Sequence, residues 1–280
     1  MILSVETYAP WENLGLKAAL KLIKETGYDG VDFSFYWQAA DEFLSDDYIE
    51  KAYEIKKELK ENGLICNQAH APFDLKYGME LTDDTPEFLK VKRSIEACGI
   101  IGIDHIVVHG VSVPAPACSK LNMDYNYNYY RLLEPVCEKA GVKIAVENLM
   151  ASFTYPDLMN EILKRLSSPW FIGLVDVGHA WLRAGIQPGE FIRQLDKGVL
   201  KGLHVHDNHG PMCHEDEHLA PFEGNIDFDD LMKALKETGY DGDFTMESIR
   251  YLKRYAEQGL LKEALIFEEK IARKLIDKLS

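Results

Sequence analysis

The chain has no run of apolar residues approaching the roughly 18 that a membrane-spanning helix needs. Its first residues, Met1-Ile2-Leu3-Ser4-Val5-Glu6, lack the basic stretch and long apolar core of a secretory leader. The cytoplasm is therefore the expected compartment, with no membrane partner. Basic side chains are scarce: 31 Lys and Arg face 46 Asp and Glu, a net charge of -15 with His neutral. Such a surface repels polyanions, so nucleic acid is not an expected partner. Cysteine is limited to 5, an odd number with no C-x-x-C pair. The thiols read as reduced, with Cys66 and Cys98 packed in apolar segments and Cys118 and Cys213 in loops. No Gly-rich loop opens a helix with a Lys, so a phosphate cradle is missing and an unphosphorylated substrate is favoured. Low-complexity segments and interdomain linkers are also missing. The 280 residues suit one large domain.

What is present is alternation. Short β-rich runs at 2–6, 30–35, 65–70, 105–109, 143–148, 171–176, 202–206 and 243–247 are separated by amphipathic, Lys/Glu-rich segments. Eight strands interleaved with eight helices predict an α/β fold, a single-domain (β/α)8 barrel over 1–280. A doubly wound open sheet rarely needs eight such units in order. The runs read as nearly continuous in apolar residues, as parallel strands buried on both faces should. Helix 47–62 shows a stripe of Ile49, Ala52, Tyr53, Ile55 and Leu59, with Gly63 placed to end it. The last helix repeats Ala264, Phe267, Ile271, Leu275 and Leu279 at spacings of three and four. Lys-Glu-Thr-Gly-Tyr-Asp-Gly occurs twice, at 24–30 and 236–242, each time ending a helix and entering a strand. Gly27 and Gly239 suit the left-handed turn this requires, on the face where stability is the expected role.

Polar residues fall at one end of the strands. Strand three ends at His70, strand four at His109, strand five at Glu147 and strand six at Asp176, with His179 just beyond. Strand seven carries His204 and His206, strand eight ends at Glu247, and the loop after strand seven adds Asp216 and His218. In a closed barrel these ends share one rim. Taken singly, each His is more often a hydrogen-bonded structural residue, Glu147 a partner for a basic side chain, and Asp176 a helix cap. Gathered together, so many ionisable groups are costly unless a cation or mutual hydrogen bonds compensate. Imidazole with carboxylate suits zinc, manganese or iron. His105 begins its strand at the opposite face and reads as structural; His209 and His214 stay unassigned.

These motifs resemble the xylose isomerase-like TIM barrels, a group that includes sugar isomerases, sugar epimerases and endonuclease IV. The matching pieces span nearly the whole chain: His70-Ala-Pro-Phe73, Val107-Val-His109-Gly, Val146-Glu147-Asn148, Asp176-Val-Gly-His179-Ala, His204-Val-His206-Asp-Asn208, Asp216-Glu-His218, Glu223-Gly-Asn-Ile226 and Met246-Glu247. The resemblance to the epimerase branch implies one metal held by Glu147, Asp176, His204 and Glu247. The endonuclease branch implies two further metals: one on His70, His109 and Glu147, the other on His179, Asp216 and His218. One to three divalent ions, Mn2+ or Zn2+, are thus the expected cofactor. The chain departs from the endonuclease pattern at Gly110-Val111, where Pro-Gly is usual, at Leu149-Met150, where small residues are usual, and at Phe222, where Gly is usual. Its rim loop 41–47 is acidic, unsuited to a phosphate backbone.

The expected activity is isomerisation or epimerisation of a small sugar or derivative through a metal-stabilised enediolate, with Glu147 and Glu247 moving the proton. His179 and His206 are expected to orient hydroxyls. Trp11, Trp37, Phe73 and Trp181, with Tyr8, are expected to line the pocket, or else to pack as ordinary core. Phosphodiester hydrolysis, a dehydratase or lyase sharing the same first step, and a barrel that binds without turnover are the alternatives. A homo-oligomer is expected by analogy, with Tyr125, Tyr127, Tyr129 and Tyr130 as either a subunit contact or an exposed helix start.

Overall fold

The computed structural model describes residues 1–37, 41, 44–149, 152–213 and 215–279. Glu42 and Phe43 of the acidic loop, Met150 and His214 lie outside the described residues. Strands β1 (Leu3–Glu6), β2 (Gly30–Ser34), β3 (Ile65–His70), β4 (His105–Val107), β5 (Lys143–Glu147), β6 (Phe171–Asp176), β7 (Leu200–Val205) and β8 (Phe244–Met246) pair in parallel, each with the next, and β8 closes on β1. The expected (β/α)8 barrel is what forms.

Helices α1 (Tyr8–Leu14), α2 (Leu16–Glu25), α3 (Tyr48–Asn62), α4 (Pro86–Ile101), α5 (Lys120–Ala140), α6 (Pro156–Leu166), α7 (Val177–His179), α8 (Pro188–Arg193), α9 (Phe228–Thr238), α10 (Ile249–Ala256) and α11 (Leu261–Ile276) surround it. The helices beyond the expected eight are short. They follow β1, β6 and β8 directly, because residues at those strand ends start a turn at once; Asp176 accepts the His179 N–H at 2.7 Å and so caps α7.

Helix faces correct two of the stripes. On α3, Ala52, Ile55 and Leu59 are buried, whereas Ile49 and Tyr53 are exposed. On α11, Ala264 and Leu275 are buried and Phe267 is exposed. The buried stripe is narrower than the spacing suggested, since one helix in an outer ring meets the barrel along a single line. The Tyr-rich stretch lies inside α5, not at its start: Tyr129 and Tyr130 are core residues, and the Tyr130 hydroxyl donates to the Val108 carbonyl at 2.9 Å. Tyr125 packs on Tyr77 and Tyr127 under Arg165. Gly27 and Gly239 take positive φ, +104° and +69°, as the repeat requires. No helix among the described residues is long and apolar enough to cross a membrane.

The strands are not uniformly apolar, contrary to expectation. Leu3 and Val5, Val31 and Phe33, Leu203 and Val205 face the helices and join the main core. Between them Glu6, Asp32, Gln68, His70 and His204 are buried and polar. Their mutual contacts cross the barrel, from His204 on β7 to Asp32 on β2, so they fill its lumen. On the β4–β6 side the lumen holds a small separate apolar plug of Val107, Ala145 and Leu174.

Candidate metal centre

Period-two alternation puts Glu147, Asp176 and His204 on the lumen side of their strands, each at or near the C-terminal end. Glu247 follows the last residue of β8 and points the same way. His204 Nδ1 lies 3.8 Å from Glu147 Oε1, 3.9 Å from Asp176 Oδ2 and 3.4 Å from Glu247 Oε2. All four are buried. Asp176, His204 and Glu247 each offer a donor atom within 4.8 Å of the others.

Two further groups flank this one. His70 and His109 bring their Nε2 atoms to 2.8 Å of each other, and His109 Nε2 is 3.0 Å from Glu147 Oε2. On the other side, His179 Nε2 meets Asp216 Oδ2 at 2.7 Å, with His218 Nε2 at 3.5 Å from the same oxygen. His179 Nδ1 reaches back to Glu147 Oε1 at 3.0 Å. The nine residues singled out from sequence thus stand in one continuous cluster. His218 donates Nδ1–H to the Glu247 carbonyl at 2.8 Å, which turns Nε2 toward Asp216.

His206 does not reach the mouth. It is fully buried behind Asp176, with its Nε2 at 3.0 and 3.1 Å from the two carboxylate oxygens, and its ring stacks on His218 at 4.0 Å. Orienting a substrate hydroxyl is therefore replaced by holding Asp176. It also counts among the donors of the third group. Gly178 makes room for it: a Cβ there would stand 1.9 Å from the His206 ring.

Above the cluster opens a cavity of about 240 Å³, lined by Tyr36, Trp37, Phe73, His179, Glu247 and Ile249 together with other members of the cluster. It is smaller than the roughly 300–1,000 Å³ typical of drug-sized ligands, so it suits a small molecule. Tyr36, Trp37 and Phe73 form an aromatic wall, with Trp37 4.2 Å from Tyr8 and 5.9 Å from Phe73. Trp37 and His218 both carry positive φ, +53° and +41°, and such strain concentrates at functional sites. Trp11 and Trp181 do not line the cavity. Trp11 packs on Phe33, whose side chain faces away from the lumen, and Trp181 is partly buried against the main core. Three basic residues that follow β8 are engaged with carboxylates: Arg250 with Glu215, Lys253 with Glu12, Arg254 with Glu223. His209 pairs with Glu217.

Several residues escaped the sequence reading. Asp32, fully buried, sits under His204. Glu6 takes hydrogen bonds from the Tyr36 hydroxyl at 2.6 Å, from Ser34 and from the Tyr8 N–H at 2.9 Å. Burial pushes Glu6 up to about 7 although Ser34 and Tyr36 pull it down. The signal was available as Ser4/Glu6 and Asp32/Ser34, polar residues at alternate positions of apolar strands.

Burial opposes ionisation of Glu147, but His109, His179 and His204 outweigh it and hold its carboxyl well below the usual range. Burial drives Glu247 the other way, well above that range, helped by Asp176 and Glu147 against the pull of His204. Burial and the neighbouring His109 and His204 lower His70 to about 3, so it is a neutral imidazole. His70 Nδ1 and His204 Nδ1 are buried without a hydrogen-bond partner, and His179 Nδ1 and Glu147 Oε2 have close charged neighbours but no well-aligned hydrogen bond. Such groups are costly in a dry interior, and all four face the cluster. Divalent cations there would satisfy them, so the donor set fits a metal.

A family model described as xylose isomerase-like TIM barrel matches residues 20–271. An uncharacterised protein of Methanocaldococcus jannaschii, MJ1311, is 29% identical over 248 residues, 75% of this chain and 82% of its own length. L-ribulose-5-phosphate 3-epimerase UlaE of Escherichia coli is 28% identical over 242 residues, 81% of this chain and 80% of its own. The crystal structure of IolI protein with a binding zinc atom superposes with a TM-score of 0.80 at 20% identity, covering 100% of this chain and 98% of that one.

Proposed function

The chain belongs to the xylose isomerase-like TIM barrel family, and from that premise we propose that it is a metal-dependent sugar epimerase or isomerase. One observation carries the reading: two buried carboxylates, Glu147 from β5 and Glu247 from the end of β8, lie 3.8 and 3.4 Å from His204 Nδ1 in a donor set that also contains Asp176. The sugar-epimerase relative supports the substrate class.

Glu147, Asp176, His204 and Glu247 would hold the cation, their imidazole and carboxylate donors being suited to Zn2+ or Mn2+. When bound, it supplies positive charge that polarises a carbonyl and steadies the negative charge of an enediolate. Glu147 is placed to take the proton from the carbon beside the carbonyl, and Glu247, contributed by the end of β8, to return one. His179, buried but lining the cavity, is placed to meet substrate hydroxyls. Trp37 and Phe73 cover the apolar face of the sugar and exclude water. The pairing of Arg250, Lys253 and Arg254 with carboxylates supports a ketose or aldose without phosphate, unlike the phosphorylated sugar in the name of the E. coli relative.

The test is solvent exchange. Incubated with a ketose panel in heavy water, the protein loaded with Mn2+ or Zn2+ incorporates deuterium beside the carbonyl and forms the epimer, and Glu247→Gln forms no epimer while keeping its fold. Unchanged epimer formation in that variant removes Glu247 from proton transfer.

The three adjoining donor groups favour a second reading, metal-assisted hydrolysis of a phosphodiester. It requires cleavage of an abasic oligonucleotide at low salt with Zn2+ or Mn2+ supplied; intact oligonucleotide eliminates it.

A further inference from the structure

A line of buried hydrogen bonds runs from the cluster to the far end of the barrel. His204 Nε2 donates to Asp32 Oδ2 at 3.1 Å, and Gln68 Nε2 donates to the same oxygen at 2.6 Å. Gln68 Oε1 accepts from His105 Nε2 at 3.0 Å, and His105 Nδ1 lies 3.2 Å from Asp104 Oδ2. Asp32, Gln68 and His105 are register partners on β2, β3 and β4. Strands in a barrel tilt, so steps in register also travel along its axis. These steps end at the first residue of β4, beside a cavity of about 570 Å³ at the N-terminal mouth that Asn67, Asp104, Lys143 and Asp243 also line.

The direction of the line is fixed by what each group can do. An amide has one accepting and one donating end. Gln68 gives its N–H to the Asp32 carboxylate, so its oxygen faces His105, which must present Nε2–H. Asp32 also takes the Nε2 proton of His204. His204 Nδ1 is then left with a free lone pair, buried, without a hydrogen-bond partner, and directed at Glu147, Asp176 and Glu247. Asp32 Oδ1 has no partner either. The arrangement therefore does not merely satisfy buried oxygens; it concentrates both donors on the one oxygen that holds His204.

We propose that Gln68 and His105 are positioning residues for the metal: acting through Asp32, they fix the tautomer and ring angle that present His204 Nδ1 to the cation. The geometry at the C-terminal mouth is thereby set from the N-terminal mouth. This rests on the metal reading above, so its test reads metal binding, not turnover. His105 moves from a structural residue to part of the centre's support, and partners of ligating imidazoles are commonly worth about 10–100-fold in metal affinity.

The metal-free full-length protein is titrated with Co2+, following the visible absorption of the bound ion. Gln68→Met removes both ends of the amide at similar length, and His105→Phe keeps a ring without Nε2. Co2+ binds Gln68→Met about 10–100-fold more weakly, His105→Phe shows a smaller loss, and both alter the cobalt spectrum while urea midpoints stay near wild type. Nitrogen NMR of the unmutated chain loaded with Zn2+ shows His204 protonated at Nε2 and ligating through Nδ1. Unchanged affinity and spectrum in both variants overturn the proposal. So does a His204 protonated at Nδ1, a result that stands even if a variant does not fold. Failure of the wild-type chain to bind Co2+ overturns the metal reading itself and this inference with it, and the wild-type titration tells that case from failure of the line alone.

Discussion

Two faces of the same strands live in different chemistry. Toward the helices, Val31, Phe33, Val5 and Leu203 pack in one continuous apolar shell. Toward the lumen, one residue along, Asp32, Glu6 and His204 are equally buried but polar. The shell gains stability from burial at roughly 25 cal/mol per Å². The lumen gains little from its charges, because desolvation offsets their attraction, and its return is a preorganised donor set. Substitutions on the two faces therefore have separable outcomes, and the predictions below test that separation.

The largest effect belongs to the lumen. Glu147→Gln keeps shape but removes the charge shared by the adjoining donor groups. Proton transfer by a positioned side chain is commonly worth 10²–10⁴-fold, so kcat on a turned-over ketose falls by about that factor while the urea midpoint moves little. Activity within tenfold of wild type would remove Glu147 from the chemistry.

In the shell, Phe33→Ala leaves a void between β2 and Trp11. Truncation of a buried Phe costs about 3–5 kcal/mol, read as a lowered urea midpoint. The cobalt affinity of the fraction that stays folded is unchanged. A variant that loses metal before it loses stability breaks the division between faces.

Among the described residues, a buried acid on a helix sharpens the division. Glu268 on α11 is a fully buried acid in the shell, receiving the Tyr28 hydroxyl at 2.7 Å. Burial raises it to about 7 against the pull of Tyr28 and Ser248. Its folded pKa lies above its unfolded one, so the folded state holds the proton more tightly. Its contribution is complete below about 4.5 and is lost as pH rises through about 7. Glu268→Gln keeps an acceptor for Tyr28 and cannot ionise. The variant matches wild type near pH 4.5 and exceeds it above pH 7 by up to about 3 kcal/mol, from about 1.4 kcal/mol per pKa unit. Parallel stability curves for the two proteins over that window would refute it.

How much of this was legible follows from period and position. Eight β-rich runs in alternation were enough for the barrel, because parallel strands need intervening helices. The rim residues could be placed because closure puts every strand end on one circle. The lumen was misread. Runs such as Leu3-Ser4-Val5-Glu6 were counted as apolar, when their alternation carried the signal for Glu6 and, on β2, for Asp32. Trp11 and Trp181 lie near the rim in sequence, which left pocket lining and core packing both open; nothing local in a sequence says which side of a barrel wall an aromatic takes. The line from His105 to His204 joins residues up to 172 apart in sequence across its longest link, and only closure brings them together.

The smallest expected effect lies at helix ends, remote from both faces. Helices α3, α5 and α9 stop at Gly63, Gly141 and Gly239, all in the left-handed conformation. Helix α6 stops at Ser167 in the same conformation, φ 44° and ψ 49°, with its N–H on the Leu163 carbonyl. A side chain there crowds the following carbonyl at a cost of about 1–2 kcal/mol. Glycine removes that cost but adds freedom to the unfolded chain, which returns part of it. Ser167 is exposed, so little else changes. Ser167→Gly therefore stabilises the fold by about 0.5–1 kcal/mol, read as a raised urea midpoint at constant m, with metal affinity untouched. A lower midpoint would mean that the unfolded-state term outweighs the strain.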